Sequence, residues 1–584
     1  MRARIEGEGI ATDAGDALPL TLETCLALRE RYGDQLVVDA GLSAWALAER
    51  RRRRQSPVAA LAPALAAAMA NRPYQITGAR IIAERGNVAV LDEGGLGKTA
   101  QAFAGLMESG NWRGRHLVVC PKTAITSTWA EEIRRWTDGQ VFTAVAPAAR
   151  KLAAIEDFLA AETGARFLIT NPETLRTTMR RFCPKCDRWV DAAPKVIPEQ
   201  HVGQDHKTPW KIYRQECPQL FGVEFDSIIC DEADRYMLGL RPQTGKMTLW
   251  GEGLVRLQGR QKIAMTGTPF RGKESNVFGI LHWLDPVRFS SFWKFINAYF
   301  VQEDNGFGVE IGGILPERAD DFAELLDRYS IRRTRAEVRD DLPENLSITH
   351  WVEMPPEHRK QYTAMEEDGY IRLGADVLQG LGVLSELTRL KQMAFGSMDY
   401  RASHIEPKVS PKYDLLVDML AARGVTTTGP TFGVMKYIVA SQFTEQLDWI
   451  ESRLNASRIE TLKITGAVTG RARDAAVAAF SAPGGARVLL LNTAVASSIT
   501  LDAWCDEMFI LDETFVEDDQ VQLRWRIDNR GARIAVRVFH YLRTRGTIDE
   551  RIAEDNLSQA AMQDQLLDGR RGLEVARRLL GRTG

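Results

Sequence analysis

The chain has little of what would tie it to a membrane, a disulfide scaffold or a highly charged partner. Its 584 residues include only 7 cysteines, an odd number in a chain too long for a disulfide framework to be expected. No apolar run approaches the roughly 18 residues that a membrane-spanning helix requires. The first residues, Met1-Arg-Ala-Arg-Ile-Glu-Gly, lack the apolar core of a secretory signal. A cytoplasmic location with no membrane partner is the expectation. No Pro-, Gly- or Ser-rich block suggests a long unstructured tail, and hydrophobic residues at 45% with charged residues at 26% match ordinary folded domains. An excess charge of either sign is also missing, because 75 Lys and Arg against 77 Asp and Glu leave a net charge of −2. Any contact with nucleic acid therefore has to be local. At roughly 100 to 200 residues per domain, the length predicts about three to five compact units.

What is present is a repeated alternation. Short apolar, β-rich runs stand before turn residues at 88–91, 117–120, 167–170, 227–230 and 262–266, with helical spacing between them, as at 99–108 and 127–136. Continuous apolar strands separated by helices predict a buried parallel sheet. A second series follows at 437–440, 461–464, 488–491, 507–511 and 536–541, again with helical stretches such as 443–454. The predicted fold class is α/β, with two lobes in tandem. The pattern at 318–341 and 357–395 is helical and poor in strand signals. The expected organisation is an N-terminal accessory unit at 1–70, a first lobe at 71–345, a second lobe at 346–545 and a charged helical tail at 546–584. Insertions are expected at about 180–222 and about 275–345 in the first lobe and at about 357–410 in the second.

Two motifs carry chemistry. Leu91-Asp-Glu-Gly-Gly-Leu-Gly-Lys-Thr99 joins a predicted strand to a predicted helix. Gly94, Gly95 and Gly97 allow backbone N–H groups to converge on phosphate oxygens, Lys98 can reach the β and γ phosphates, and the Thr99 hydroxyl can bind Mg²⁺. Asp92 stands where a strict phosphate loop has its first glycine. In Ile228-Ile-Cys-Asp-Glu-Ala-Asp234, adjacent carboxylates end a second buried strand. Asp231 suits Mg²⁺, directly or through water, and Glu232 suits orienting and deprotonating an attacking water.

Cys183-Pro-Lys-Cys186 and Cys217 flank a segment that holds His201 and His206. A Cys-x-x-Cys turn aims two thiolates at one tetrahedral ion, so the expectation is a structural Zn²⁺ on Cys183, Cys186, Cys217 and one histidine, His201 ahead of His206. The five arginines at 50–54 read either as a solvated helix end or as a contact to a phosphate backbone.

With these motifs in place, residues 71–531 resemble the Swi/Snf-type DNA-dependent ATPases of helicase superfamily two. Arg72-Pro-Tyr-Gln75 resembles the family's adenine-reading element, and the phosphate loop differs at one position from its Asp-Glu-Met-Gly-Leu-Gly-Lys-Thr. Met265-Thr-Gly-Thr-Pro269 with Leu281-His-Trp-Leu-Asp-Pro286, Ile331-Arg-Arg-Thr-Arg-Ala-Glu-Val338 and Ser441-Gln-Phe-Thr444 are similar to further family segments. Asn492-Thr-Ala-Val-Ala-Ser-Ser-Ile-Thr-Leu501 lacks the two glycines of the family's DNA-touching loop. Gln520-Val-Gln-Leu-Arg-Trp-Arg-Ile-Asp-Asn-Arg530 resembles the arginine-finger motif with altered spacing: aligned on Gln522 the first finger is Arg526, aligned on Gln520 it is Arg524, and Arg530 lies one place past the second.

The resemblance implies two RecA-like lobes, ATP and Mg²⁺ as cofactors, and adenine read by Gln75. It implies double-stranded DNA as partner, gripped mostly by its phosphate backbone, with Pro121, Lys122, Thr170 and Asn171 facing it. The implied activity is ATP-driven translocation. A strand-separating helicase and a nucleotide-gated DNA clamp are the alternatives. The compact architecture suggests a bacterial or phage source.

Overall fold

A run of apolar residues without polar alternation is satisfied only in a sheet covered on both faces, and these runs build two all-parallel sheets. The computed structural model describes most of residues 2–45 and 61–557. Outside the description lie 1, 46–60, 184–187, 191–209, 238–248, 339–343, 426–434, 497–500, 526–535 and 558–584, with gaps of one to three residues elsewhere. The chain divides into two compact units, Met1–Arg332 and Arg333–Gly584.

The sheet of the first unit has seven strands in the order Ser330–Ile331, Val88–Val90, Gln258–Met265, Glu224–Asp231, Arg115–Val119, Arg166–Thr170, Gln140–Ala144, and every neighbouring pair is parallel. The register sets Asp231 opposite Met265 and Met265 opposite Val90. Three central strands therefore end side by side, and the loops that leave them open at one edge of the sheet. In open α/β sheets that edge is where ligands bind.

The helix Lys98–Glu108 covers this sheet so completely that every residue from 100 to 107 is buried. Phe103 anchors it, ringed by Trp112, Trp129, Trp136 and Phe167 in edge-on contacts at 5.8 to 6.5 Å between ring centres. The helix Pro73–Arg85 lies against it, with Pro73 at its first turn and Gly86 at φ 72° ending it.

Three smaller elements complete the unit. The N-terminal residues form a four-stranded sheet in the order Ala17–Pro19, Gly9–Thr12, Arg2–Glu6, Val37–Val38, around Ala3, Ile10, Leu28 and Leu42. An antiparallel insertion pairs Thr177–Cys183 with Arg188–Val190 and Trp210–Gln215. A hairpin joins Phe300–Asp304 to Val309–Ile314.

The sheet of the second unit has six parallel strands in the order Glu344–Val352, Val536–Thr544, Cys505–Ile510, Lys436–Ser441, Val488–Asn492, Thr461–Ile464. Its polar interior is tied by Lys412, whose Nζ donates to Leu511 O at 2.6 Å and pairs with Asp549 at 2.7 Å. Both side chains are almost fully buried.

Three segments depart from the sequence reading. Glu344-Asn-Leu-Ser-Ile-Thr-His-Trp-Val352 is a strand at the sheet edge. Its polar and apolar residues alternate as a half-exposed edge requires, so it offers no continuous apolar run. The stretch 357–395, expected as helix throughout, is interrupted by the antiparallel pair Tyr370–Leu373 and Asp376–Gln379, with Gly369 and Gly374 weighing against helix there. Within 318–341, Ser330–Ile331 leaves the helical pattern to join the first sheet. Among the described residues no helix is long and apolar enough to cross a membrane.

The helices Pro73–Arg85 and Lys98–Glu108 pack tightly at Gly105, where an added Cβ would lie 2.6 Å from Ile82 Cγ2 and 2.8 Å from Ile82 Cβ. Alanine would gain about 1 kcal/mol in helix propensity, but overpacking costs about 1–3 kcal/mol where the opposing atom cannot swing away. The clash with a Cβ should win. Gly105→Ala is expected to lower stability by about 1–2 kcal/mol in chemical denaturation, and a raised midpoint would reject the close packing.

Candidate active site at the strand ends of the first unit

The phosphate loop follows Val88–Val90, and Leu91 N donates to Ile331 O at 2.7 Å. Gly95 and Gly97 sit at φ 79° and 75°, a region that side chains disfavour, and Gly97 caps the helix Lys98–Glu108. The unpaired N–H groups of that helix start therefore face the loop. Lys98 Nζ donates to Asp92 O at 2.7 Å and Glu93 O at 3.1 Å, folding back over the loop. Burial lowers its pKa, against the opposing pull of Asp92, Glu232 and Asp231.

Asp92 explains its own departure from the glycine pattern. Its side chain is fully buried and accepts from Gln101 Nε2 at 2.9 Å, so a carboxylate pins the loop to the following helix.

Gln75 supports the loop from the other side, with Nε2 donating to Leu96 O at 2.9 Å. Its Oε1 is buried and without a partner. A buried acceptor left open beside a phosphate loop fits the exocyclic amine of adenine.

Asp231 ends its strand with both oxygens engaged: Oδ2 accepts from Trp129 Nε1 at 2.9 Å and Oδ1 from Glu232 N at 3.1 Å. Burial, and then the charge of Glu232, raise its pKa to about 6. Glu232 is left-handed at φ 52°, a strain of about 1–3 kcal/mol for a residue other than glycine. Asp234 Oδ1 accepts from Thr266 Oγ1 at 2.6 Å, and its Oδ2 lies 3.6 Å from Arg271. Burial and Glu232 raise the Asp234 pKa to about 7. Thr266 N in turn donates to Val90 O at 3.1 Å. The acidic turn is thus bonded to the strand that carries the phosphate loop.

The first unit therefore brings together Gln75, the loop with Gly94, Gly95 and Gly97, Lys98, Thr99, Asp231 and Glu232. Thr99 and Asp231 are the protein groups suited to a Mg²⁺ that keeps most of its ligands as water and phosphate oxygens. Four residues were given no role by the sequence. Trp129 and Gln101 carried no signal. Asp234 and Thr266 lay inside motifs already singled out, where only their hydrogen bond reveals them.

Other expected site residues lie elsewhere. Thr170 Oγ1 lies within hydrogen-bond distance of Ala144 O at 3.1 Å and Thr174 Oγ1 at 2.9 Å, and Asn171 Oδ1 accepts from Thr174 Oγ1 at 3.1 Å. Both serve the turn after their strand. Arg524, in the last turn of the helix Glu517–Arg524, donates from Nη1 to Tyr541 Oη at 2.7 Å. Arg526 and Arg530 lie outside the described residues.

The expected zinc set needs correction at Cys217. Cys186, His201, His206 and the side chain of Cys183 lie outside the described residues. The insertion register pairs Thr177 with Gln215 and Phe182 with Trp210. Cys217, two places past Gln215, follows the end of the strand pair that holds Thr177, whereas Cys183 closes the other end. Six steps at about 3.3 Å separate those ends by about 20 Å, while ligands of one Zn²⁺ bind at about 2.3 Å. Cys217 is buried and in no disulfide. Among the described residues no group of three or more His, Cys, Asp or Glu is arranged to hold a metal.

A phosphate-loop α/β unit with an acidic strand end, followed by a second parallel α/β unit, defines a class of nucleotide-binding proteins. Residues 74–395 match the SNF2-related domain. The chain belongs to that family. It is 25% identical over 81% of its length to chromodomain-helicase-DNA-binding protein 8 of Xenopus tropicalis, covering 20% of that protein. It is 24% identical over 86% of its length to chromodomain-helicase-DNA-binding protein 9 of Homo sapiens, covering 16% of it. The chain thus spans about one-fifth or less of these curated relatives. Among solved structures it is similar to the Sulfolobus solfataricus SWI2/SNF2 ATPase core in complex with dsDNA, at 18% identity and a TM-score of 0.35, covering 85% of this chain and 93% of that one.

The raised pKa of Asp234 has a sign. The folded state keeps a proton that the unfolded chain releases near pH 4, so stability falls as pH rises from about 4 to about 7. Asp234→Asn removes that loss and keeps an acceptor for Thr266. It should raise Tm by roughly 2–4 °C at pH 8 and by progressively less toward pH 4, as thermal unfolding across pH will show. An advantage independent of pH would reject the buried-charge account.

Proposed function

We propose that the chain hydrolyses ATP and couples hydrolysis to movement along double-stranded DNA, gripping mainly the phosphate backbone. The observation that carries the ATP reading is the convergence of Lys98, Asp231 and Glu232 at one strand edge beside the unpartnered Gln75 Oε1. In this reading Gln75 Oε1 accepts from the adenine amine. Lys98 leaves the carbonyls of Asp92 and Glu93 for the phosphate oxygens. Thr99 and Asp231 would hold Mg²⁺, which when bound supplies neutralisation of phosphate charge. Glu232 orients the attacking water and takes its proton. Arg526 is the proposed arginine finger, with Arg524 and Arg530 as alternatives, a role typically worth about 10³ to 10⁵ in rate.

Family membership and the names of the relatives support DNA as the partner. Translocation is ranked ahead of strand separation because the sequence pattern singles out no segment as a separation wedge. The missing glycines of 492–501 favour, as a second reading, a clamp that binds nucleotide without moving.

Lys98→Ala should abolish hydrolysis while leaving most DNA affinity, and Glu232→Gln should keep ATP binding and lose turnover. Near-wild-type hydrolysis in either would reject the site. Duplex DNA should stimulate phosphate release, and ATP should drive displacement of a third strand from a triplex without unwinding a fork. Efficient fork unwinding would favour a helicase, and hydrolysis insensitive to DNA, a clamp.

We further propose that any structural Zn²⁺ sits on Cys183 and Cys186 with His201 and His206. Elemental analysis should then find metal retained in Cys217→Ser and lost in Cys186→Ser. Loss in both would restore the three-cysteine set.

A further inference from the structure

Arg332 follows a two-residue strand, Ser330–Ile331, that pairs in parallel with Val88–Val90, Ser330 opposite Ala89 and Ile331 opposite Val90. That register, extended by the bond from Leu91 N to Ile331 O at 2.7 Å, delivers Arg332 to the entrance of the phosphate loop. Its side chain is only 12% exposed, and Nη2 lies 3.8 Å from Glu93 Oε1 within the loop. Nη1 donates to Leu91 O at 2.8 Å and reaches Gly267 O at 3.4 Å. One guanidinium therefore touches the residue before the loop, an acidic residue inside it, and the glycine between Thr266 and Thr268. It is close enough to Lys98 to disfavour the charged ammonium. Arg332 is also the last residue of the first compact unit.

We propose that Arg332 is a positioning residue that clasps the phosphate loop to the Gly267 turn, so that nucleotide at Lys98 is felt by the chain leaving the first unit. The inference rests on the ATP reading of the loop. Its chemistry asks for arginine in particular: a planar fork serves two carbonyls and a carboxylate at once, whereas the compact lysine ammonium cannot span them. A triphosphate entering beside Lys98 adds negative charge that competes with Glu93 for the guanidinium. The contact that holds the loop is therefore the one that bound nucleotide alters.

The test uses the full chain with Arg332→Lys and Arg332→Ala, and Lys98→Ala as reference. The readouts are kcat and KM for ATP, and the rate of tryptic cleavage after Arg333 with and without Mg²⁺ and a slowly hydrolysed ATP analogue. The expected result is a fall of at least tenfold in kcat/KM for both variants, with no rescue by lysine. The analogue should change cleavage after Arg333 several-fold in wild type and not in the variants. Wild-type kcat/KM in Arg332→Lys would overturn the clasp, as would variants that lose only Tm while keeping the nucleotide effect on cleavage. If wild type does not bind the analogue, or Lys98→Ala hydrolyses ATP normally, the ATP reading itself fails and the inference with it.

Discussion

The candidate site depends on one short strand. Val88–Val90 has three residues, all buried, and is held on both flanks by parallel partners, Ser330–Ile331 and Gln258–Met265. Each flank then contributes a bond at the point where the strand becomes the phosphate loop: Leu91 N to Ile331 O, and Thr266 N to Val90 O. A loop with two glycines at positive φ has little intrinsic preference for one shape. Its conformation is imposed by these neighbours, by Asp92 through Gln101, and by Gln75 through Leu96. The same bonds fix where the acidic turn lies, because Thr266 also holds Asp234.

Electrostatically the site is a concentration of opposed charge that an apolar core would not tolerate. Burial, and then the charge of Glu232, lift Asp231 and Asp234 until both titrate near neutrality, and burial pushes Lys98 the other way. Groups so strained by proximity and desolvation gather where a ligand of matching charge will relieve them. A divalent cation beside Asp231 and a polyanion beside Lys98 would each lower the energy of what is already there.

Much of this was legible in the sequence, for a physical reason. Strands buried on both faces must be continuous apolar runs, so both sheets announced themselves. Glycines, a lysine and adjacent carboxylates at strand ends can serve few purposes together. What escaped was of two kinds. Edge elements such as Glu344–Val352 and Ser330–Ile331 are too polar or too short to stand out, since partners elsewhere in the chain decide their conformation. Positioning residues such as Gln101 and Trp129 are ordinary in type, and only the fold gives them an acidic neighbour. Cys217 illustrates the reverse error, in which a plausible spacing along the chain concealed a separation of a full strand length in space.

The left-handed backbone at Glu232 has a consequence for stability. A residue chosen for stability at φ 52° would be glycine or asparagine, either of which accepts that conformation at little cost. Glutamate there carries strain of about 1–3 kcal/mol that glycine would release. Glycine would also remove the carboxylate beside Asp231, so position 232 sets backbone ease against the presence of an acid at the strand end.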